Sequence, residues 1–322
     1  MIQNIIVTRR WTPSVEAELA QLGRVQLNQS DQPFTREQMA AALASADVLC
    51  PTVTDRLDAE LLSASDVRVK LLANFGVGFN HIDMQAAAAA GIQVTNTPGV
   101  LTEATAEIAM TLLLSVARRT GEGERQVRAG AWQGWGPTHM LSTQVTGKTL
   151  GIVGMGRIGL NLAHKAHHGF GMQILYHKRN PLDQSLAAAL NARRVSLQEL
   201  YASADFISLN CPATAETRHL IDAVALQQMG PDTYLINTAR GDVVDEIALV
   251  AALQSGTIAG AGLDVYENEP ALAAGLAELD NVVLLPHQGS GTVETRDAMG
   301  RCALANVRAF VEQQPLPNRV QI

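Results

Sequence analysis

The stretch Thr149-Leu150-Gly151-Ile152-Val153-Gly154-Met155-Gly156-Arg157-Ile158-Gly159 constrains this chain more than any other. Thr149, Leu150, Ile152 and Val153 read as a buried strand, and residues 160–166 read as a helix. Between them Gly154, Gly156 and Gly159 spell G-x-G-x-x-G. Strand, glycine turn and helix in that order suit a dinucleotide pyrophosphate. The first glycine permits a tight turn, the second lets backbone approach the phosphates, and the third lets helix and strand pack closely. The helix N-terminus offers free N–H groups and a positive dipole end to the anion.

The rest of the chain repeats the theme. Short apolar strands are expected at 5–8, 24–27, 47–50, 70–74 and 93–96, then at 172–176, 206–210, 234–237, 260–263 and 282–285. Caps mark helices between them. Thr12 precedes Pro13, with Gly23 expected to close that helix; Thr35-Arg36-Glu37-Gln38 reads as a capping box; Asp83 opens an alanine-rich helix that Gly91 ends. Alternating strands and helices predict an α/β fold with parallel sheets covered on both faces. The 322 residues suit two domains.

Composition narrows the function classes. A hydrophobic content of 47% argues against disorder. A net charge of −7 without a basic stripe argues against nucleic acid. No apolar stretch reaches the roughly 20 residues of a membrane span, and residues 1–7 read as a strand rather than a signal peptide. Cys50, Cys211 and Cys302 are odd in number and far apart, which suits a reducing cytoplasm better than a disulfide framework. No metal site is expected. His164 and His168 share a helix face at i, i+4, but no third ligand is near, so they read as a solvated face.

Several segments point to chemistry. Phe75-Gly76-Val77-Gly78-Phe79-Asn80 follows a strand, where open α/β sheets bind ligands. Its glycines can present N–H groups to a carboxylate. Asn96-Thr97-Pro98-Gly99 reads as an interdomain turn. Thr102 opens a long helix to 119 that is apolar nearly all round, so it should be buried, with another subunit as one candidate partner. A second helix is expected at 122–129, and then Trp132 and Trp135 sit on a glycine-rich loop, as interface or pocket-wall residues do. Residues 291–314 read as a final helix returning to the first domain.

The cofactor turn is Tyr176-His177-Lys178-Arg179-Asn180. An acid about 20 residues past the glycines would bond the ribose hydroxyls of NAD. Here no carboxylate appears until Asp183, and two cations and a histidine stand instead. A cationic turn suits a 2′-phosphate, so NADP(H) is preferred and NAD(H) is the alternative.

Three more segments follow strands and carry polar groups in apolar text: Asn237-Thr238-Ala239-Arg240-Gly241, Leu263-Asp264-Val265 through Glu269-Pro270, and Pro286-His287-Gln288-Gly289. Arg240 can bind a carboxylate and polarise a carbonyl. His287 can give a proton, and Glu269 can orient its ring. Each alone reads as a surface or satisfied core group; as a set on a nucleotide fold they suit hydride transfer to a 2-oxo acid.

With Gly76-Val77-Gly78, Asn96-Thr97-Pro98 and the glycine turn, these segments run in the order of one family. Along nearly its whole length the chain resembles the D-isomer-specific 2-hydroxyacid dehydrogenases, and within them the glyoxylate and hydroxypyruvate reductases. The resemblance implies two Rossmann-like or flavodoxin-like domains with parallel sheets and an active site in the cleft between them. One domain would be residues 1–99 plus 291–322, a substrate-binding lid; the other would be residues 100–290, holding NADP and the dimerisation helices 102–130. It implies Arg240, Glu269 and His287 as the catalytic set, and backbone N–H groups of Val77 and Gly78 as the carboxylate seat. Gly154, Met155, Gly156, Arg157, Ile158 and Gly159 would hold the pyrophosphate, with His177, Lys178 and Arg179 at the adenosine phosphate. Cys211, Pro212 and Thr217 would line the adenosine side. Thr238, Ala239 and Gly289 would follow the cofactor, with Asp264 at the nicotinamide carboxamide. A homodimer through residues 102–135 is implied, with Trp135 reaching the neighbouring substrate site. The chain is thereby expected to reduce glyoxylate and hydroxypyruvate. A cofactor-sensing binding protein on the same fold, or an NAD-dependent enzyme of another specificity, are the alternatives.

Overall fold

The computed structural model describes residues 3–321. The chain folds as two compact units: one runs to Leu101 and resumes at Ser290, and the other spans Thr102–Gly289.

The first unit is built on five parallel strands, β1 (Asn4–Val7), β2 (Arg24–Leu27), β3 (Val48–Cys50), β4 (Leu71–Ala73) and β5 (Gln93–Thr95), ordered β2-β1-β3-β4-β5. Successive side chains on a strand face opposite sides of the sheet. Ile5 and Val7 therefore join one core with Val15 and Val307, while Ile6 joins the other with Leu43 and Leu62. The final helix, Val293–Val311, belongs to this unit and packs on helix Pro13–Leu19. Thr35 forms the full capping box and Asp83 accepts from Ala86 N–H. Thr12 is the N-cap residue with Pro13 behind it, but its hydroxyl donates to Asp297 at 3.0 Å rather than bonding the helix N–H groups. The expected close at Gly23 fails. That helix ends at Leu19, and Gly23 serves a different need: a Cβ there would lie 2.6 Å from the Gln3 carbonyl oxygen.

The second unit holds seven parallel strands: β6 (Thr149–Val153), β7 (Gln173–His177), β8 (Ala192–Arg194), β9 (Phe206–Leu209), β10 (Tyr234–Asn237), β11 (Gly260–Leu263) and β12 (Val282–Leu284). Their order is β12-β11-β10-β9-β6-β7-β8. The order reverses beside β6, the switch point where such sheets bind ligands at their carboxyl ends. Strand β8 was not foreseen; a three-residue Ala-Arg-Arg edge strand has no apolar signature. Helix Thr102–Ala117 is not buried all round: it packs one face on its own sheet and on residues 157–170, while Glu103, Glu107 and Thr111 stay exposed. Gly262 on β11 lets it approach, since a Cβ there would sit 2.9 Å from Leu112 Cβ. Helix Thr120–Arg128 has no buried residue; Val127 on it and Trp132, Trp135 and Leu141 beyond it are exposed.

Candidate active site

The glycine turn leaves β6 as its sequence demands. Gly154 has φ +95°, and a Cβ on it would stand 2.5 Å from Cys211 N. Only glycine fits both the left-handed backbone and that close approach. At Gly159 a Cβ would meet the Gly154 carbonyl oxygen at 2.5 Å, so this glycine seats helix Arg157–Phe170 on the turn. Gly156 differs: a Cβ there would meet no protein atom within 4 Å. Its bareness leaves the helix N-terminus approachable, as a pyrophosphate requires. Met155 is buried in the core beneath, so only its backbone belongs to the turn surface. Two polar atoms at the same sheet edge, Asn210 Oδ1 and Thr238 Oγ1, are buried without a partner among the described residues. A cradle and two orphaned polar atoms fit a bound dinucleotide.

The basic turn follows β7. His177 Nδ1 lies 3.1 Å from Val195 O, while Lys178 is half-buried and Arg179 exposed. Arg194, at the end of β8, donates to the carbonyls of Lys178 at 3.0 Å and Arg179 at 2.5 Å. Sequence reasoning missed this residue because it missed the strand. Across the turn, Thr217 Oγ1 donates to Pro212 O at 2.7 Å and accepts from Thr214 N, which folds the 211–217 loop on itself. Burial pushes the Cys211 thiol up to about 11, so it is not a thiolate nucleophile at neutral pH.

Three loops at the carboxyl ends of β10, β11 and β12 carry the polar set. After β10, Asn237 takes the Ala239 N–H on Oδ1 and donates to the Arg240 carbonyl, at 3.0 and 2.9 Å. Gly241 then meets the next loop: a Cβ on it would lie 1.8 Å from Tyr266 C and 2.2 Å from Glu267 N. That contact draws the Arg240 loop onto the loop that carries Glu269. Glu269 accepts from Tyr266 N–H on Oε1 at 3.0 Å and faces His287 Nδ1 through Oε2 at 2.8 Å. Burial raises the Glu269 carboxyl, but the His287 hydrogen bond and charge, Tyr266 N–H and the Arg240 charge outweigh it and hold the group below the usual glutamate range. An ionised Glu269 makes Nδ1 the donor, which leaves His287 Nε2 for another partner. Arg240 is only partly covered along its side chain, yet its guanidinium lies deep among protein atoms. Desolvation lowers its pKa, with Glu269 and Asp242 opposing.

His287 itself holds a left-handed backbone, φ +51°. Asp264 fixes it there. Its carbonyl accepts His287 N–H at 2.9 Å, and its carboxylate oxygens accept Gln288 N–H at 2.7 Å and Gly289 N–H at 2.8 Å. Asp264, expected at a nicotinamide carboxamide, is 1% exposed and here anchors the histidine loop. In the first unit, Val77 and Gly78 are half-buried at the end of β4, on a loop that begins with the buried Asn74. Trp135 is 86% exposed. The His164 and His168 rings lie tilted to each other with centroids 5.6 Å apart, and among the described residues no group of three or more ligands could hold a metal.

The chain is similar to known proteins. Residues 110–289 match the family described as D-isomer specific 2-hydroxyacid dehydrogenase, NAD binding domain. A glyoxylate reductase of Thermococcus litoralis is 42% identical over 324 residues, 99% of this chain and 97% of that protein. A glyoxylate reductase of Aeropyrum pernix is 43% identical over 98% of this chain and 95% of its own. Among solved structures, the NADPH-dependent glyoxylate/hydroxypyruvate reductase of Sinorhizobium meliloti, in complex with NADP and malonate, superposes with a TM-score of 0.87. It is 36% identical and covers 99% of this chain and 97% of that one. With its two parallel sheets and its Arg240, Glu269 and His287 loops, the chain belongs to the D-isomer specific 2-hydroxyacid dehydrogenase family.

Proposed function

We propose that this enzyme reduces small 2-oxo acids, glyoxylate and hydroxypyruvate, to 2-hydroxy acids with NADPH. The observation that carries the reading is the Glu269–His287 pair, bonded at 2.8 Å through Nδ1 so that Nε2 is left to serve a substrate oxygen. Bound NADPH supplies the hydride to the carbonyl carbon. His287, protonated, gives its Nε2 proton to the carbonyl oxygen as charge develops there. Glu269 stabilises the imidazolium and keeps the remaining proton on Nδ1 once Nε2 has given its own. Arg240 polarises the carbonyl and pairs with the carboxylate, to which Val77 and Gly78 present backbone N–H groups.

Lys178 and Arg179, with no acid on the turn, support NADPH over NADH, and Arg194 braces that turn from beneath. The Sinorhizobium relative, NADPH-dependent by its own description, supports the same preference. The exposed Trp132, Trp135, Val127 and Leu141 support a homodimer through residues 102–135, with Trp135 serving the partner's substrate site. Three free cysteines suit a reducing cytoplasm.

The test is a rate panel over glyoxylate, hydroxypyruvate, pyruvate and bulkier 2-oxo acids, with NADPH and with NADH. Turnover of none would sink the enzyme reading. Equal kcat/KM for the two cofactors would refute the role given to Lys178 and Arg179. Sedimentation of a monomer would refute the dimer.

A further inference from the structure

The Val77–Gly78 loop owes its shape to side chains outside the loop's glycine pattern. Asn74, directly after β4, is fully buried. Its Nδ2 donates to the carbonyls of Gly76 at 3.1 Å and Gly78 at 3.0 Å. Asn96 Nδ2 donates to the carbonyl between them, Val77 O, at 2.9 Å. All three carbonyls therefore face an amide. In a trans peptide the C=O of one residue and the N–H of the next point in opposite directions. Pinning Gly76 O sets the direction of Val77 N–H, and pinning Val77 O sets that of Gly78 N–H. Among the described residues these two N–H groups donate to no acceptor.

His81 completes the device. Asn74 Nδ2 faces two carbonyl acceptors, so its other end is Oδ1, and this oxygen lies 3.0 Å from His81 Nε2. His81 Nε2 must then be the donor, and its hydrogen bond holds the amide against a flip. A flipped amide would turn an oxygen toward two carbonyl oxygens, releasing Gly78 O and leaving Gly76 O to the Thr97 N–H at 3.0 Å.

We propose that Asn74, locked by His81, is a positioning residue that aims the Val77 and Gly78 N–H groups at the substrate carboxylate. The proposal rests on the 2-oxo acid reduction proposed above. A merely structural Asn74 would affect stability and all kinetic constants alike, whereas a positioning Asn74 acts on the acid and not on the cofactor.

Three variants test it. Asn74→Asp keeps the shape but turns donors into acceptors, His81→Leu removes the lock, and His81→Asn retains an amide donor. Expected for Asn74→Asp is a rise of at least about tenfold in the KM of glyoxylate and in the Ki of oxalate, the scale of one lost hydrogen bond to a charged group. The KM of NADPH should stay within about twofold, well under the energy of one hydrogen bond. His81→Leu should move the same two constants in the same direction by less, and His81→Asn should restore them. Folded Asn74→Asp and His81→Leu with unchanged acid constants, or with NADPH affinity falling equally, would overturn the proposal. Should Asn74→Asp fail to fold, the His81 pair decides alone. If the wild type reduces no 2-oxo acid, the functional reading falls by itself. Calorimetric binding of oxalate to the NADPH complex of wild type and His81→Leu then judges the seat: weaker binding in the variant supports it, equal binding sinks it.

Discussion

Two histidine–glutamate pairs stand on neighbouring loops of the same sheet edge. His287 meets Glu269 at 2.8 Å, and His219 meets Glu267 at 2.8 Å. Both histidines hold a left-handed backbone, at φ +51° and +48°. The difference lies in which atoms are spent. His287 is bound through Nδ1, and Glu269 gives its other oxygen to Tyr266 N–H. His219 is bound through Nε2, and the same Glu267 oxygen also takes Arg218 at 3.2 Å. In one pair the carboxylate takes Nδ1 and is held by a backbone N–H; in the other it takes Nε2 and shares one oxygen with Arg218, as a brace between loops. A His–Glu distance therefore does not identify an acid; which ring nitrogen the carboxylate takes separates the two pairs.

Substitutions can break that contrast. His287→Ala should lower kcat for glyoxylate by about 10²–10⁴-fold, the range of a general acid, with NADPH binding by fluorescence little changed. Glu269→Gln should cost about 10–100-fold in kcat/KM, the worth of one charge-assisted hydrogen bond. The pH dependence sharpens the same point. The folded-state value of Glu269 lies below its unfolded one, so its contribution is fully present above about pH 4.3, the ordinary glutamate value, and is lost as pH falls through the lower folded value. A pH–rate profile should accordingly show no acid limb attributable to Glu269 above about pH 4.3. Gly241→Ala would strike both pairs at once, because its Cβ would collide with the 266–267 backbone. Thermal unfolding should show a loss at the upper end of the about 1–3 kcal/mol of overpacking. The smallest effect is expected at the brace: His219→Asn should leave kcat within about twofold, since a partly exposed ion pair contributes about 0–1 kcal/mol. A large loss there would erase the distinction drawn between the pairs.

Much of the scaffold is written locally. The strand ends of β2, β10 and β11 fall where the apolar runs end, and Thr35 and Asp83 cap as their spacing requires. Caps and alternation depend on neighbours a few residues away, so sequence carries them. The failures share one cause. Thr12 is the N-cap, but its hydroxyl bonds Asp297, 285 residues away, rather than its own helix. Strand β8 exists because Ala192–Arg194 lies against β7, although its own residues carry no strand signal. Arg194 escapes the sequence for the same reason, since it braces a turn sixteen residues earlier. Asn74 differs: its partners are two and four residues away, but only the fold buries its side chain and turns it onto them.

The sequence by itself determined the parallel α/β class, the glycine turn, the basic turn after β7, and Arg240, Glu269 and His287 as the candidate set. Tertiary structure decided which atoms of those residues are spent. It turned Glu269 toward His287 Nδ1 through the Gly241 contact, set Asp264 to hold the histidine loop, and left the other His–Glu pair as a brace. The physical reason is range. Turns and caps are fixed by steric and hydrogen-bond rules over a few residues. The orientation of the His287 ring is fixed by backbone approaches between loops that sequence separates by tens of residues.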